Sequence, residues 1–129
     1  MSATRLPTAA GCRLHAVGQD WDAIRIPRAL GLAAMTILGP RCGAVLEHPH
    51  KSAVYYFVPV GTAAEWEVDG TTAIGEGGTL AIPPTRHTEA VGPHWLVCPG
   101  DSDWLTDALA LQAALEDCSA SRTAAELAT

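Results

Sequence analysis

The stretch "AVYYFVPV", residues 53–60, constrains this chain more than any other, because it is β-branched and aromatic almost throughout. Such residues favour a pleated, half-buried backbone, so it is the best strand in the sequence. "CGAVLEHP" lies just before it, and "HPHKS" between them reads as a turn, so the two strands form a hairpin. Upstream, "WDAIRIP" alternates Ile24 and Ile26 against Ala23 and Arg25, a short strand closed by Pro27. "RALGLAAMTILG" then sets Leu30, Ala33, Ala34, Ile37 and Leu38 at helical spacing. Pro27 suits the helix start, and Gly39-Pro40 ends it with a left-handed turn and a residue that cannot continue.

Downstream, "EWEV" adds a strand candidate, with Glu65 and Glu67 as the polar face of an edge and Asp69-Gly70 as a turn. "TTAIGEGG" is a strand end with a glycine turn. "TLAIPP" is a strand stopped by two prolines, and "PHWLVCP" is the last strand. "TDALALQAALEDC" is a helix with Thr106 as N-cap, Leu105 as a staple, and Leu109, Leu111, Ala113 and Leu115 as its apolar positions. The order predicts an α+β fold: a mostly antiparallel sheet, a helix after the first strand and a C-terminal helix, both on one face. Residues 1–18 read as a loosely ordered segment, 19–118 as one domain and 119–129 as a tail with helix-forming residues.

The 129 residues suffice for one domain that buries roughly two-thirds of its unfolded surface. The apolar runs are too short and interrupted to span a bilayer, and no signal peptide is legible at the N-terminus, so the expected location is cytoplasmic. A formal net charge of −6 and eight scattered Lys and Arg disfavour nucleic acid as a partner. A protein or small-ligand partner fits better. Arginine over lysine, with much Ala and Gly, suggests a GC-rich bacterial genome. Cys12, Cys42, Cys98 and Cys118 form no Cys-x-x-Cys, and free thiols in a reducing compartment are expected, although one disulfide stays open.

Few residues carry obvious chemistry. Arg86 and His87 follow the rigid "IPPT" turn and, with Arg25, are the best small-anion contacts. Asp20 and Asp22 have the spacing of a carboxylate pair, though two acids ahead of a strand are more often solvated turn residues. Trp21, Trp66, Trp95 and Trp104 read as packing residues rather than a base-stacking platform. His48 and His50, two apart, would share one face of a strand, and His87 could join them as a third metal ligand.

Two resemblances add expectations. Residues 22–97, through "AIRIPRALGLAAMTILGP", "HKSAVYYFVPVG" and "GEGGTLAIPPTRHTEAVGPHW", resemble the N-terminal domain of bifunctional DNA primase/polymerases. The family's metal-binding carboxylates on the first strand would fall where Ile24 and Ile26 stand, and its hairpin histidine near Ala53 or Val54. The resemblance thus implies a degenerate shell with no catalytic residues and no cofactor, acting as a binding or regulatory module. The weaker likeness, to cupins, rests on a glycine, "HPH", a hydrophobic strand and "IPPTRH". It implies a β-barrel, a metal-binding protein or enzyme, in which His48, His50 and His87 hold iron, manganese or zinc. The glutamate that cupins place after the paired histidines is replaced here by Ser52, Ala53, Val54 and Tyr55. A nucleotide-binding module in the inherited cleft is a third reading.

Overall fold

The computed structural model describes residues 13–83, 93–99 and 104–128. The expected α+β class is what it shows. Five strands form one antiparallel sheet: β2 (Asp22–Pro27), β3 (Val45–His48), β4 (Ala53–Val58), β5 (Thr72–Ile74) and β7 (His94–Val97), in the order β5-β2-β4-β3-β7. A second sheet is a two-stranded antiparallel ribbon of β1 (Arg13–Ala16) and β6 (Thr79–Ile82). Among the described residues three α-helices accompany the sheets: α1 (Arg28–Leu38), the short α2 (Thr62–Glu65) and α3 (Ala108–Ala128).

Strand β4 lies at the centre of the large sheet, and all six of its residues are buried. Successive side chains point to opposite faces, so both faces must be covered. Val54, Tyr56 and Val58 join Ile24, Ile26 and Val45 beneath Leu30, Ala34 and Leu38 of α1 and Leu111, Ala114, Leu115 and Cys118 of α3. On the other face Tyr55 and Phe57 pack with Ala23, Leu46 and Trp95 under Leu80 and Ile82 of the ribbon and the indoles of Trp21 and Trp104. Phe57 is the hub of this aromatic group, with ring centroids 4.8 Å from Trp21, 5.2 Å from Trp104 and 5.6 Å from Trp95. The tryptophans Trp21 and Trp95 are buried, as packing residues should be.

Helix α1 starts directly after Pro27 and ends at Gly39, whose φ of 54° is left-handed. Its contact with the sheet is close because Gly31 has no side chain. A Cβ there would lie 2.1 Å from Val54 Cγ2, and the Gly31 carbonyl accepts a 2.7 Å hydrogen bond from the Tyr56 hydroxyl.

Several expectations need correction. The segment "EWEV" is not a strand: its first residue, Glu65, ends α2, and Trp66 and Val68 pack against the helix-side core while Glu65 and Glu67 stay exposed. Here the side-chain bond from Trp66 Nε1 to Thr71 Oγ1 (2.8 Å) closes a loop in place of a ladder. The residues expected to be loose at the start include β1, while 1–12 lie outside the described residues. The C-terminal helix is capped by Asp107, whose Oδ2 accepts from the Ala110 amide at 2.9 Å. Thr106 is instead buried, its Oγ1 accepting from the Gly43 amide and its own amide donating to the Phe57 carbonyl. Both helices also bury a narrower stripe than their apolar pattern implies: Ala33 and Ile37 on α1, and Leu109 and Ala113 on α3, face outward. The tail after residue 118 continues α3 to Ala128.

Substituting Gly31 by Ala tests the close contact. Alanine gains about 1 kcal/mol of helix propensity. Overpacking against a stiff, fully buried valine costs about 1–3 kcal/mol or more. Urea unfolding should therefore show net destabilisation, and a Gly31→Ala/Val54→Ala pair should recover part of the Gly31→Ala overpacking cost.

Candidate functional site

Burying a charge is expensive unless it is paired, so buried acids are where a site is sought first. Two carboxylates are buried among the described residues, Asp22 and Glu47. Both lie on the helix side of the sheet, at opposite ends of it, because Asp22 pairs with Val58 and Glu47 with Val54 on either side of β4.

Asp22 is committed to structure. Its Oδ2 accepts from the amides of Gly61 and Ala63, both at 2.9 Å, and so holds the turn into α2. That turn starts with Gly61 at φ 96°, a conformation that leaves its amide free to reach the carboxylate. Asp20 sits in the preceding turn and is solvent-exposed. The two aspartates are therefore not a carboxylate pair on one strand face. Asp20 is the solvated turn residue its position suggested, while Asp22 departs from that expectation by being buried.

Glu47 is the centre of a polar cluster that sequence reasoning missed. Its Oε2 accepts from Arg28 Nε at 2.5 Å, and its Oε1 lies 3.3 Å from His94 Nε2. Arg28 is the first residue of α1, and His94 the first of β7. The cluster ties three elements together: the start of α1, strand β3 and the edge strand β7. Glu47 and His94 are nearly inaccessible, whereas the Arg28 side chain is 53% exposed. A signal for Glu47 existed. In "AVLEH" it falls on the same alternation as Val45, which places a carboxylate on the core side.

The residues singled out beforehand fare differently. Arg25 is exposed on β2, opposite Tyr55 of β4 and Thr72 of β5, on the ribbon side. Burial raises the Tyr55 hydroxyl above its ordinary range, and the nearby Arg25 charge pulls it partly back. His48 ends β3 on that same side, its ring meeting Tyr55 edge-on with centroids 5.3 Å apart. His50 does not continue the strand: Pro49–Lys51 form a 3-10 turn, so the two histidines do not share a strand face. Proline at its start favours the turn. Arg86 and His87 lie outside the described residues. Among the described residues no group of three or more His, Cys, Asp or Glu is arranged to hold a metal ion.

Three of the four cations described as exposed lie near one end of the sheet, and the fourth, Arg41, follows the far end of α1. Pro27 pairs with Ala53, and the Arg28 amide donates to the Ser52 carbonyl at 2.9 Å. Arg25, Arg28 and Lys51 thus share one end of the sheet, all exposed. Asp69 stands in the turn leading into β5, whose first residue pairs with Arg25. The opposite end carries Asp20, Glu65 and Glu76, also exposed.

A neutral cluster lies in the core. The Tyr56 hydroxyl, which donates to the Gly31 carbonyl, lies close to the Cys42 thiol, which donates to the Gly43 carbonyl, and to Cys118. Burial pushes all three groups up, far above the ordinary range for Tyr56. Cys42, Cys98 and Cys118 are free thiols. No described helix is long and apolar enough to cross a membrane. Comparisons with protein-family models, with curated proteins and with solved structures found no match.

Two outcomes follow. Glu47→Ala leaves Arg28 and His94 without their shared acceptor, and should cost about 1–3 kcal/mol in urea unfolding. Glu47→Gln, which keeps an acceptor, should cost less. The raised thiol and phenol values act in alkali. The unfolded chain loses these protons from its ordinary values of 9.0 for Cys and 10.0 for Tyr, while the fold retains them. Their contribution is complete below about pH 9 and falls as pH rises towards the folded values. The melting temperature should decline above about pH 9, and a Cys42→Ala variant should decline less steeply over the first part of that range.

Proposed function

We propose that the protein is a non-catalytic binding module that engages an anionic group, on a small ligand or an acidic segment of a partner protein, at the cationic end of its large sheet. One observation carries this reading: in a chain of net charge −6, Arg25, Arg28 and Lys51 are exposed together at one end. Arg25 leaves the sheet on the ribbon side and Arg28 on the helix side, so an anion at this end is attracted by charges on both sides of the sheet's rim. Glu47 accepts from Arg28 Nε, which anchors the guanidinium while about half of the side chain stays exposed. A guanidinium so held loses less freedom on binding a carboxylate or phosphate.

The non-catalytic part of the reading is supported by Asp22. A carboxylate whose Oδ2 already serves two backbone amides is spent on holding a turn. The primase/polymerase-like shell belongs to the reading on the strength of the sequence pattern given above.

The test is titration of the full chain with pyrophosphate and, separately, with an oligoglutamate peptide, followed by calorimetry. One of the two should bind, with affinity falling as salt rises, because exposed charges are screened. An Arg25→Ala/Lys51→Ala variant should bind about tenfold or more weakly, a loss of about 1.4 kcal/mol. Arg28 is left intact so that the clamp on Glu47 persists. Equal binding by the variant, or none by either probe to the native chain, overturns the proposal. Stoichiometric iron, manganese or zinc in the purified protein, lost from a His48→Ala/His50→Ala variant, would favour the cupin-like alternative instead.

A further inference from the structure

Tyr55 and Tyr56 are neighbours on β4 with opposite surroundings. The Tyr56 hydroxyl, on the helix side, donates to the Gly31 carbonyl at 2.7 Å. Tyr55 lies on the ribbon side and is almost as enclosed, with 2% of its surface exposed. Yet its hydroxyl has no hydrogen-bond partner among the described residues. Enclosed polar groups are ordinarily paired, so one without a partner needs an explanation. Packing does not supply it. The ring sits in the aromatic layer with Leu46 and Phe57 and meets His48 edge-on, contacts that a phenylalanine would make equally well. What the hydroxyl adds is a donor, and it is not fully sealed from solvent.

The row across the sheet at Tyr55 supplies a charge beside that donor. Arg25 of β2 is the cross-strand partner of Tyr55, and Thr72 of β5 is in turn the partner of Arg25. Paired residues of an antiparallel sheet point to the same face, on strands about 5 Å apart. Thr72, Arg25 and Tyr55 thus line up on the ribbon side as hydroxyl, guanidinium and hydroxyl. Thr72 and Arg25 are exposed, and Arg25 is in no ion pair with another described residue. Its charge is close enough to the phenol to favour the phenolate. We infer that Arg25 and the Tyr55 hydroxyl together bind an oxyanion on the ribbon side of the sheet, the guanidinium supplying charge and the phenol O–H a directional donor. This inference rests on the anion-binding reading above and narrows it: the ligand's charged oxygen sits over β2 and β4. The small opening at Tyr55 admits a compact oxyanion, a phosphate or a carboxylate, and not the broad face of a folded partner.

The adjacent tyrosines give the test its control. Calorimetry of the full chain with pyrophosphate and, separately, with an oligoglutamate peptide is paired with urea unfolding of each variant. Tyr55→Phe keeps the ring and removes only the hydroxyl. It should bind the probe about tenfold or more weakly, or about 1.4 kcal/mol. Its unfolding midpoint should equal that of the native chain, because no bond within the protein is lost. Tyr56→Phe should do the reverse, with a lowered midpoint and unchanged affinity. Tyr55→Phe should also weaken binding less in an Arg25→Ala background than in the native one, as two groups holding one ligand require. The probe that responds names the oxyanion, phosphate or carboxylate. A native chain that binds a probe while Tyr55→Phe binds it equally well overturns this inference and leaves the anion-binding reading standing. A native chain that binds neither probe overturns both. A lowered midpoint in Tyr55→Phe makes the hydroxyl structural and overturns this inference as well.

Discussion

The two-sided burial of β4 governs the architecture. A strand with Tyr56 inward on one face and Phe57 inward on the other cannot sit at an edge or under a single layer without exposing one of them. Removing either face from water is worth about 25 cal/mol per Å² of apolar surface, and aromatic side chains bring the largest areas. Helices α1 and α3 answer one face, and the β1–β6 ribbon with Trp21 and Trp104 answers the other. Each cover then imposes its own requirement: no side chain at Gly31 on the helix side, and a tightly nested aromatic group around Phe57 on the ribbon side.

Polar groups are placed where these layers end. Asp22 and Glu47 stand at opposite ends of the central strands, and each holds a connection that the packing alone would leave loose. Asp22 fixes the turn after β4 through two amides. Glu47 fixes the start of α1 through a guanidinium and the edge strand through an imidazole. Amides spent on a carboxylate are closed to anything else, whereas a guanidinium anchored by one nitrogen keeps its others for a ligand.

What the sequence revealed was local. Strands β2, β4, β6 and β7, the helix after Pro27 and the glycine turns follow from alternation and from residues with restricted backbones, so they were legible. The ribbon was not, because β1 has no clean period and its partner lies far along the chain. "EWEV" looked like a strand because alternation is visible, whereas the amide bonds from Gly61 and Ala63 to Asp22 that favour a helical turn are not. Thr106 and Asp107 are both good caps in sequence, and only the pull of Gly43 on the Thr106 hydroxyl decides between them. The Glu47 cluster needed three segments brought together, two of them distant in sequence. His48 and His50 were read as strand neighbours, and Pro49 turned the chain between them.

The ribbon has a kinetic consequence. Arg13 pairs with Ile82, so β1 and β6 meet only after nearly all of the intervening sheet has closed between them. The entropy of closing so long a loop is spent before the pairing returns anything. The helix-covered face can assemble from neighbouring segments, while the aromatic face waits for the first strand to return. During that interval Phe57 and Trp95 stay open to water, and the growing protein is at its most adhesive.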